Sequence, residues 1–240
     1  MESKTNPPTH YSLIWDEEQI RHYEEQVFHY GDASVKKFIL CMGVRSKYCS
    51  SVKMKKCFFK RQLFCNTNSQ SLVDALRSYE IPIGAYKDDN QQPIPTTALV
   101  LYASVNPRDT RKAAKATASY VLEELYNNNR STFSLDSKFK TEAQKAALCK
   151  PFLTVDLDCK DLLSSVKTEL DLLNFPPHKF VVETRGGYHI HYETSKLDKK
   201  RMNFLFQNLN KRENIDVLVD TFCPIPGTIQ GGFKVRFVTL

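Results

Sequence analysis

This 240-residue chain predicts an α+β fold, and three observations carry that prediction. Strand-like stretches rich in apolar and β-branched residues occur in both halves, and from Pro151 onward they alternate apolar and polar residues as half-buried strands do. Segments with apolar residues at helical spacing lie between them. From Pro151 onward the two patterns alternate as β-α-β-β-α-β, the ferredoxin-like order. The chain divides into a peripheral N-terminal segment at 1–32, a basic α/β unit at 33–126, a connecting segment at 127–150 and the β-α-β-β-α-β unit at 151–240.

The elements follow in order. Tyr11–Tyr30 is expected to hold a helix, with Asp16, Glu17 and Glu18 near its start. Residues 36–65, rich in Phe, Val, Cys and Ile, read as strands. Ser69–Tyr79 reads as a short helix, and Ile81–Pro95, with its prolines and DDNQQP, as loop. Thr97–Val105 is a strand. Asp109 or Thr110 then caps a helix to Tyr126, with Ala114, Ala118, Val121, Leu122 and Leu125 as its buried stripe. Within the connecting segment a short helix is expected near Thr141–Cys149. The last unit has strands at 152–158, 179–184, 188–193 and 214–220, with helices near 160–173 and 198–210. Gln230-Gly231-Gly232 reads as a hairpin into Phe233–Thr239, which carries Lys234 and Arg236.

Composition excludes several classes. Hydrophobic content of 41% and charged content of 25% are ordinary for a globular protein. No apolar run approaches the ~18 residues of a membrane span, so no membrane association is expected. The polar start MESKTNPPTHYS resembles no signal peptide. Seven cysteines form no C-x-x-C pair, so reduced thiols in an intracellular protein, nuclear or cytoplasmic, are expected. Cys41, Cys49, Cys57 and Cys65 recur every eight residues. Structural zinc uses tighter pairs and is not expected there; burial on one face of strands accounts for the spacing.

The net charge of +7 is unevenly distributed. From Ala33 to Val73 there is no Asp or Glu, and that window alone carries +9: Lys36, Lys37, Arg45, Lys47, Lys53, Lys55, Lys56, Lys60 and Arg61. Interleaved with Tyr48, Phe58, Phe59 and Phe64, this block suits a polyanion with aromatics for base stacking. Arg108, Arg111, Lys112 and Lys115 crowd the start of the helix after Asp109, where cations oppose the helix dipole. A phosphate held there would reconcile them with the free N–H groups; side chains lying in water account for them equally well.

The carboxylates of the last unit share a face. In PFLTVDLDCKD, Leu153, Val155 and Leu157 point one way and Thr154, Asp156 and Asp158 the other, with the two acids about 7 Å apart. Oxygen-only ligands suit Mg²⁺ or Mn²⁺. The ferredoxin-like strand order 4-1-3-2 flanks strand 1 by strands 3 and 4 and leaves one sheet face free of helices. Asp156, Asp158 and Asp216 then share that face with His189, a constellation suited to two-metal phosphoryl transfer.

With those residues in place, the chain resembles the archaeo-eukaryotic primase superfamily, the small-subunit primases and primase-polymerases, over roughly residues 97–238. The first motif of that family, hydrophobic-Asp-hydrophobic-Asp on a strand, is matched by Val155-Asp156-Leu157-Asp158. The second, a turn and strand ending in His, is matched by Thr184-Arg185-Gly186-Gly187-Tyr188-His189. The third, a hydrophobic-Asp strand before a segment like L-P-G-S, is matched by Ile215-Asp216 and Cys223-Pro224-Ile225-Pro226-Gly227-Thr228. Gly187 departs from the pattern, since a small hydroxyl residue usually stands there.

The resemblance implies a primase-polymerase fold, with an RRM-like catalytic unit packed on the N-terminal α/β unit. It implies a template-dependent nucleotidyltransferase making short RNA or DNA primers on single-stranded DNA from nucleoside triphosphates. Asp156, Asp158 and Asp216 would hold two Mg²⁺ or Mn²⁺ ions, and His189 would contact the incoming triphosphate, with Arg185 a candidate second contact. A helicase or accessory replication subunit is a possible partner. A metal-dependent nuclease and a non-catalytic nucleic-acid-binding module or subunit are the alternatives.

Overall fold

The computed structural model describes residues 8–28, 36–54, 58–65, 71–127 and 134–239. The first half runs α1 (Glu17–Val27), β1 (Lys36–Val44), β2 (Phe58–Phe64), α2 (Leu72–Arg77), β3 (Leu99–Ser104), β4 (Arg108–Asp109), α3 (Thr110–Tyr126) and α4 (Leu135–Lys145). The second runs β5 (Phe152–Leu157), α5 (Leu162–Leu172), β6 (Phe180–Glu183), β7 (Tyr188–Glu193), α6 (Lys199–Gln207), β8 (Ile215–Leu218), β9 (Phe222–Pro224), β10 (Ile229–Gln230), β11 (Phe233–Lys234) and β12 (Arg236–Val238). Helix starts follow capping chemistry: the carboxylates of Asp16, Asp109 and Asp198 accept from backbone N–H groups two or three residues on.

Two antiparallel sheets organise the molecule. One has the order β2-β1-β3-β9, with β4 also paired to β1; the other has the order β12-β6-β7-β5-β8. Within the second, β8-β5-β7-β6 is the expected 4-1-3-2 order, and β12 extends it beyond β6. The α+β class and the ferredoxin-like order therefore hold. Leu153, Val155, Leu157, Ile190, Ile215 and Val217 pack on one face with Val166 and Leu170 of α5 and Leu205 of α6.

The other face is not open as the topology alone implies. Phe152, Phe180 and Val182 point to it and join the core of the first sheet, with Tyr23, Phe38, Leu40 and Cys223. These strands carry apolar residues on both faces, so leaving one face bare would expose aromatic surface. Along β5 the covered face passes from buried Phe152 and Thr154, through half-buried Asp156, to exposed Asp158. The acids stand where the two layers part.

Four further expectations are corrected. The described part of the segment before residue 33 is not peripheral: Tyr11, Leu13, Ile20, Tyr23 and Val27 are fully buried. Gly227 explains part of this docking. Its carbonyl accepts from Trp15 and Asp16 N–H, and at φ +87° it lies so close to the Asp16 carbonyl that a Cβ would fall 2.2 Å from that oxygen. The stripe assigned to α3 is turned outward: Ala113 and Thr117 are buried, whereas Leu122 and Leu125 are exposed. The described residues of 127–150 do more than connect, since Ala143 and Ala146 pack with Ile39 and Ala113, and α4 starts earlier than expected. The strand expected to reach residue 220 stops at Leu218, and the chain crosses to the first sheet as β9. Among the described residues no helix is long and apolar enough to cross a membrane.

Candidate metal and nucleotide site

Strand register assembles the acids. Asp156 lies opposite His189 on β7 and opposite Asp216 on β8, so one row across three strands reads Asp216, Asp156, His189. Paired residues in antiparallel strands have Cβ atoms about 4.5–5.5 Å apart, close enough for one ion to span neighbouring side chains. Asp156 Oδ1 is 3.2 Å from His189 Nε2. Asp158 follows at the strand end, its N–H bonded to the Asn214 carbonyl at 2.9 Å just before β8. All four residues lie along one sheet face, as the strand pattern expects, but that face is covered at His189 rather than open.

The electrostatics of the row are strained in one sign. Burial holds the Asp156 carboxyl above its ordinary value; His189 and Arg45 oppose this, while Asp158 and Asp216 add to it. Burial pushes the His189 imidazole below its ordinary value, against the pull of Asp156 and Asp158. Carboxylates set this close together are a poor arrangement alone and a good one around a divalent cation. The donor set therefore fits Mg²⁺ or Mn²⁺: oxygen atoms only, two of the three carboxylates exposed to solvent.

Cations rim the acids. Arg185 is exposed on the turn between β6 and β7, its guanidinium 4.2 Å from the centre of the Tyr48 ring and Nη1 donating to the Gly231 carbonyl. The turn itself is closed by Thr184, whose N–H donates to the Gly187 carbonyl at 2.9 Å and whose Oγ1 accepts from Gly187 N–H at 3.1 Å. Gly187 presses on β5: a Cβ there would lie 1.7 Å from the Leu157 carbonyl oxygen. This accounts for the absence of a hydroxyl residue at that position. Arg45, grouped by sequence with the general basic block, belongs here instead. It bonds the Tyr102 hydroxyl at 2.6 Å and acts electrostatically on both Asp156 and His189. Its place could not be read from sequence, because β1 and β5 belong to different sheets.

The remaining basic residues divide. Lys47, Lys53, Arg111 and Lys112 are exposed. Lys60 donates to the Ser78 carbonyl at 3.1 Å and sits 4.7 Å from the Tyr79 ring centre, and Arg61 bonds Thr141 and Gln144 on α4. Arg108 is buried in an ion pair with Asp220 at 2.7 Å, so it is not the exposed anion contact that its sequence position suggested. Lys55 and Lys56 lie outside the described residues, as does Cys57 of the eight-residue cysteine series.

Comparison with known proteins finds no matching family model, no matching curated protein and no matching solved structure.

Proposed function

We propose that this chain is a template-dependent nucleotidyltransferase of the archaeo-eukaryotic primase kind, joining nucleotides on single-stranded DNA. The observation that carries the reading is the cross-strand row Asp216–Asp156–His189, with Asp158 at its open end and Arg185 and Arg45 at its rim. Asp156, Asp158 and Asp216 would hold the divalent cations, which when bound supply activation of an attacking 3′-hydroxyl and neutralisation of triphosphate charge. Asp156, fixed by pairing on both sides, sets the position of the other carboxylates. Arg185 offers a planar fork to phosphate oxygens, held in aim by the Tyr48 ring beneath it. Exposed Lys47 and Lys53 provide charge for a nucleic-acid backbone. His189 faces the carboxylate row rather than solvent, so its contribution is to fix Asp156, and the phosphate contact falls to Arg185.

The test is primer-free incubation of the purified chain with single-stranded DNA, Mg²⁺ or Mn²⁺ and labelled nucleotides, beside Asp156→Asn. Short products from the wild type, reduced more than about 100-fold in the variant, are expected, since a first ligand to the ion is lost. Products undiminished in Asp156→Asn would refute the assignment. Fragmentation of labelled DNA without nucleotides would make the chain a nuclease.

A further inference from the structure

Behind the carboxylate row, at the junction of the two sheets, lies a second cluster of a different chemical type. His189 and His191 project from the same face of β7, and Cys223 faces them from β9 of the other sheet. One ring nitrogen of each histidine and Cys223 Sγ lie within 4.8 Å of one another, and all three residues are buried. The histidines are half satisfied. His189 Nε2 faces Asp156, and His191 Nδ1 shares a 3.0 Å hydrogen bond with Thr154 Oγ1. The opposite nitrogens, His189 Nδ1 and His191 Nε2, are buried with no hydrogen-bond partner. Such orphans cost free energy and call for an explanation. Phe180 stacks on the His191 ring at 4.4 Å, so one face of that ring is covered by apolar surface. The Cys223 thiol has a 3.3 Å contact with the carbonyl of its own neighbour, Pro224.

We propose that His189 Nδ1, His191 Nε2 and Cys223 Sγ bind a zinc ion that ties the two sheets together behind the carboxylate row. Two imidazoles and a thiolate form a borderline-soft donor set, which selects zinc over the magnesium suited to the carboxylates. Tetrahedral zinc with these ligands spaces them about 3.3–3.8 Å apart, so the cluster closes by about 1 Å. The outer contacts fit the role. A carboxylate behind His189 and a hydroxyl behind His191 leave the inward nitrogens free as ligands, the arrangement that orients metal-bound histidines. Binding expels the thiol proton to solvent and leaves a thiolate–zinc bond. A fourth coordination position remains. The inference does not rest on the proposed reaction, because it concerns different donor atoms and a different ion.

The experiment measures metal, not turnover. The full chain is expressed with zinc in the medium, purified, and analysed by elemental mass spectrometry beside Cys223→Ser and His191→Gln. About one zinc per wild-type chain, falling about tenfold or more in each variant, is expected. Cobalt(II) titrated into the chelator-stripped wild type should give tetrahedral d–d bands and a thiolate-to-cobalt charge-transfer band; this readout needs no variant to fold. A wild type that carries no zinc and gives no thiolate band overturns the proposal, as do variants that retain full zinc. Loss of primer synthesis in Asp156→Asn with zinc retained would separate this site from the carboxylate site.

Discussion

At the scale of single residues, environment decides role more than identity does. Arg185 and Arg108 are both arginines beside a carboxylate-bearing strand, yet one is exposed and stacked on Tyr48 and the other is sealed against Asp220. Arg185→Lys keeps the charge and loses the planar fork and its stacking. A rise of about tenfold in the nucleotide KM, with thermal stability unchanged, is expected from steady-state incorporation; an unchanged KM would remove Arg185 from the site. Buried tyrosines set the alkaline limit of the fold. Burial raises the phenols of Tyr79, Tyr86 and Tyr102, and that of Tyr192 is pushed up to about 12. The unfolded chain loses these protons near its ordinary phenol value of about 10 while the folded chain keeps them, so stability falls as pH rises through that window. Phenolate absorbance of these rings should appear together with loss of far-ultraviolet circular dichroism. Free titration near pH 10 with the fold intact would contradict the burial seen here.

Among the elements, β5 and the turn from β6 to β7 carry the site. The alternation in Leu153–Asp158 was legible as a strand, and its neighbours followed from the 4-1-3-2 order, but the register that sets Asp156 opposite His189 and Asp216 came only with the structure. The turn was legible as a turn, but the reason for its second glycine was not. Gly187→Ala would drive a Cβ into backbone atoms of Leu157 and Cys159, which cannot move aside as a side-chain tip can. A loss of about 3 kcal/mol or more in urea unfolding is expected. Gly186→Ala, whose nearest neighbour would be Asp158 Oδ1 at 3.9 Å, should change stability by no more than about 0.5 kcal/mol. Equal effects of the two would count against the close approach. Helix α3 shows the opposite limit of sequence reading: its periodicity was right, but periodicity cannot say that Leu122 and Leu125 face outward.

For the whole molecule, the second half does not stand apart from the first. Phe152, Phe180 and Cys223 share one core with Tyr23, Phe38 and Leu40, and β9 and β12 pass the chain between the two sheets. The Arg108–Asp220 pair bolts the same junction, through two bonds of 2.7 and 2.8 Å and a third from Arg108 to the Gln144 carbonyl at 2.9 Å. Asp220→Ala leaves a buried guanidinium without its counter-charge and should cost about 3–5 kcal/mol in chemical denaturation. Arg108→Met combined with Asp220→Ala should recover most of that loss. If the single change costs nothing, the pair does not hold the junction.

By itself the sequence determined the α+β class, the strand order of the second unit and the face shared by Asp156, Asp158 and Asp216. These follow from periods of two and 3.6 residues and from connection rules, which are local properties of a chain. Only the tertiary structure decided what covers that face, that Tyr11, Leu13 and α1 join the core, that Arg45 acts electrostatically on Asp156 while Arg108 is sealed against Asp220, and that His191 meets Cys223 across two sheets. Each depends on contacts between distant segments, and burial of apolar surface, being non-directional, selects among such pairings without leaving a periodic trace in the sequence.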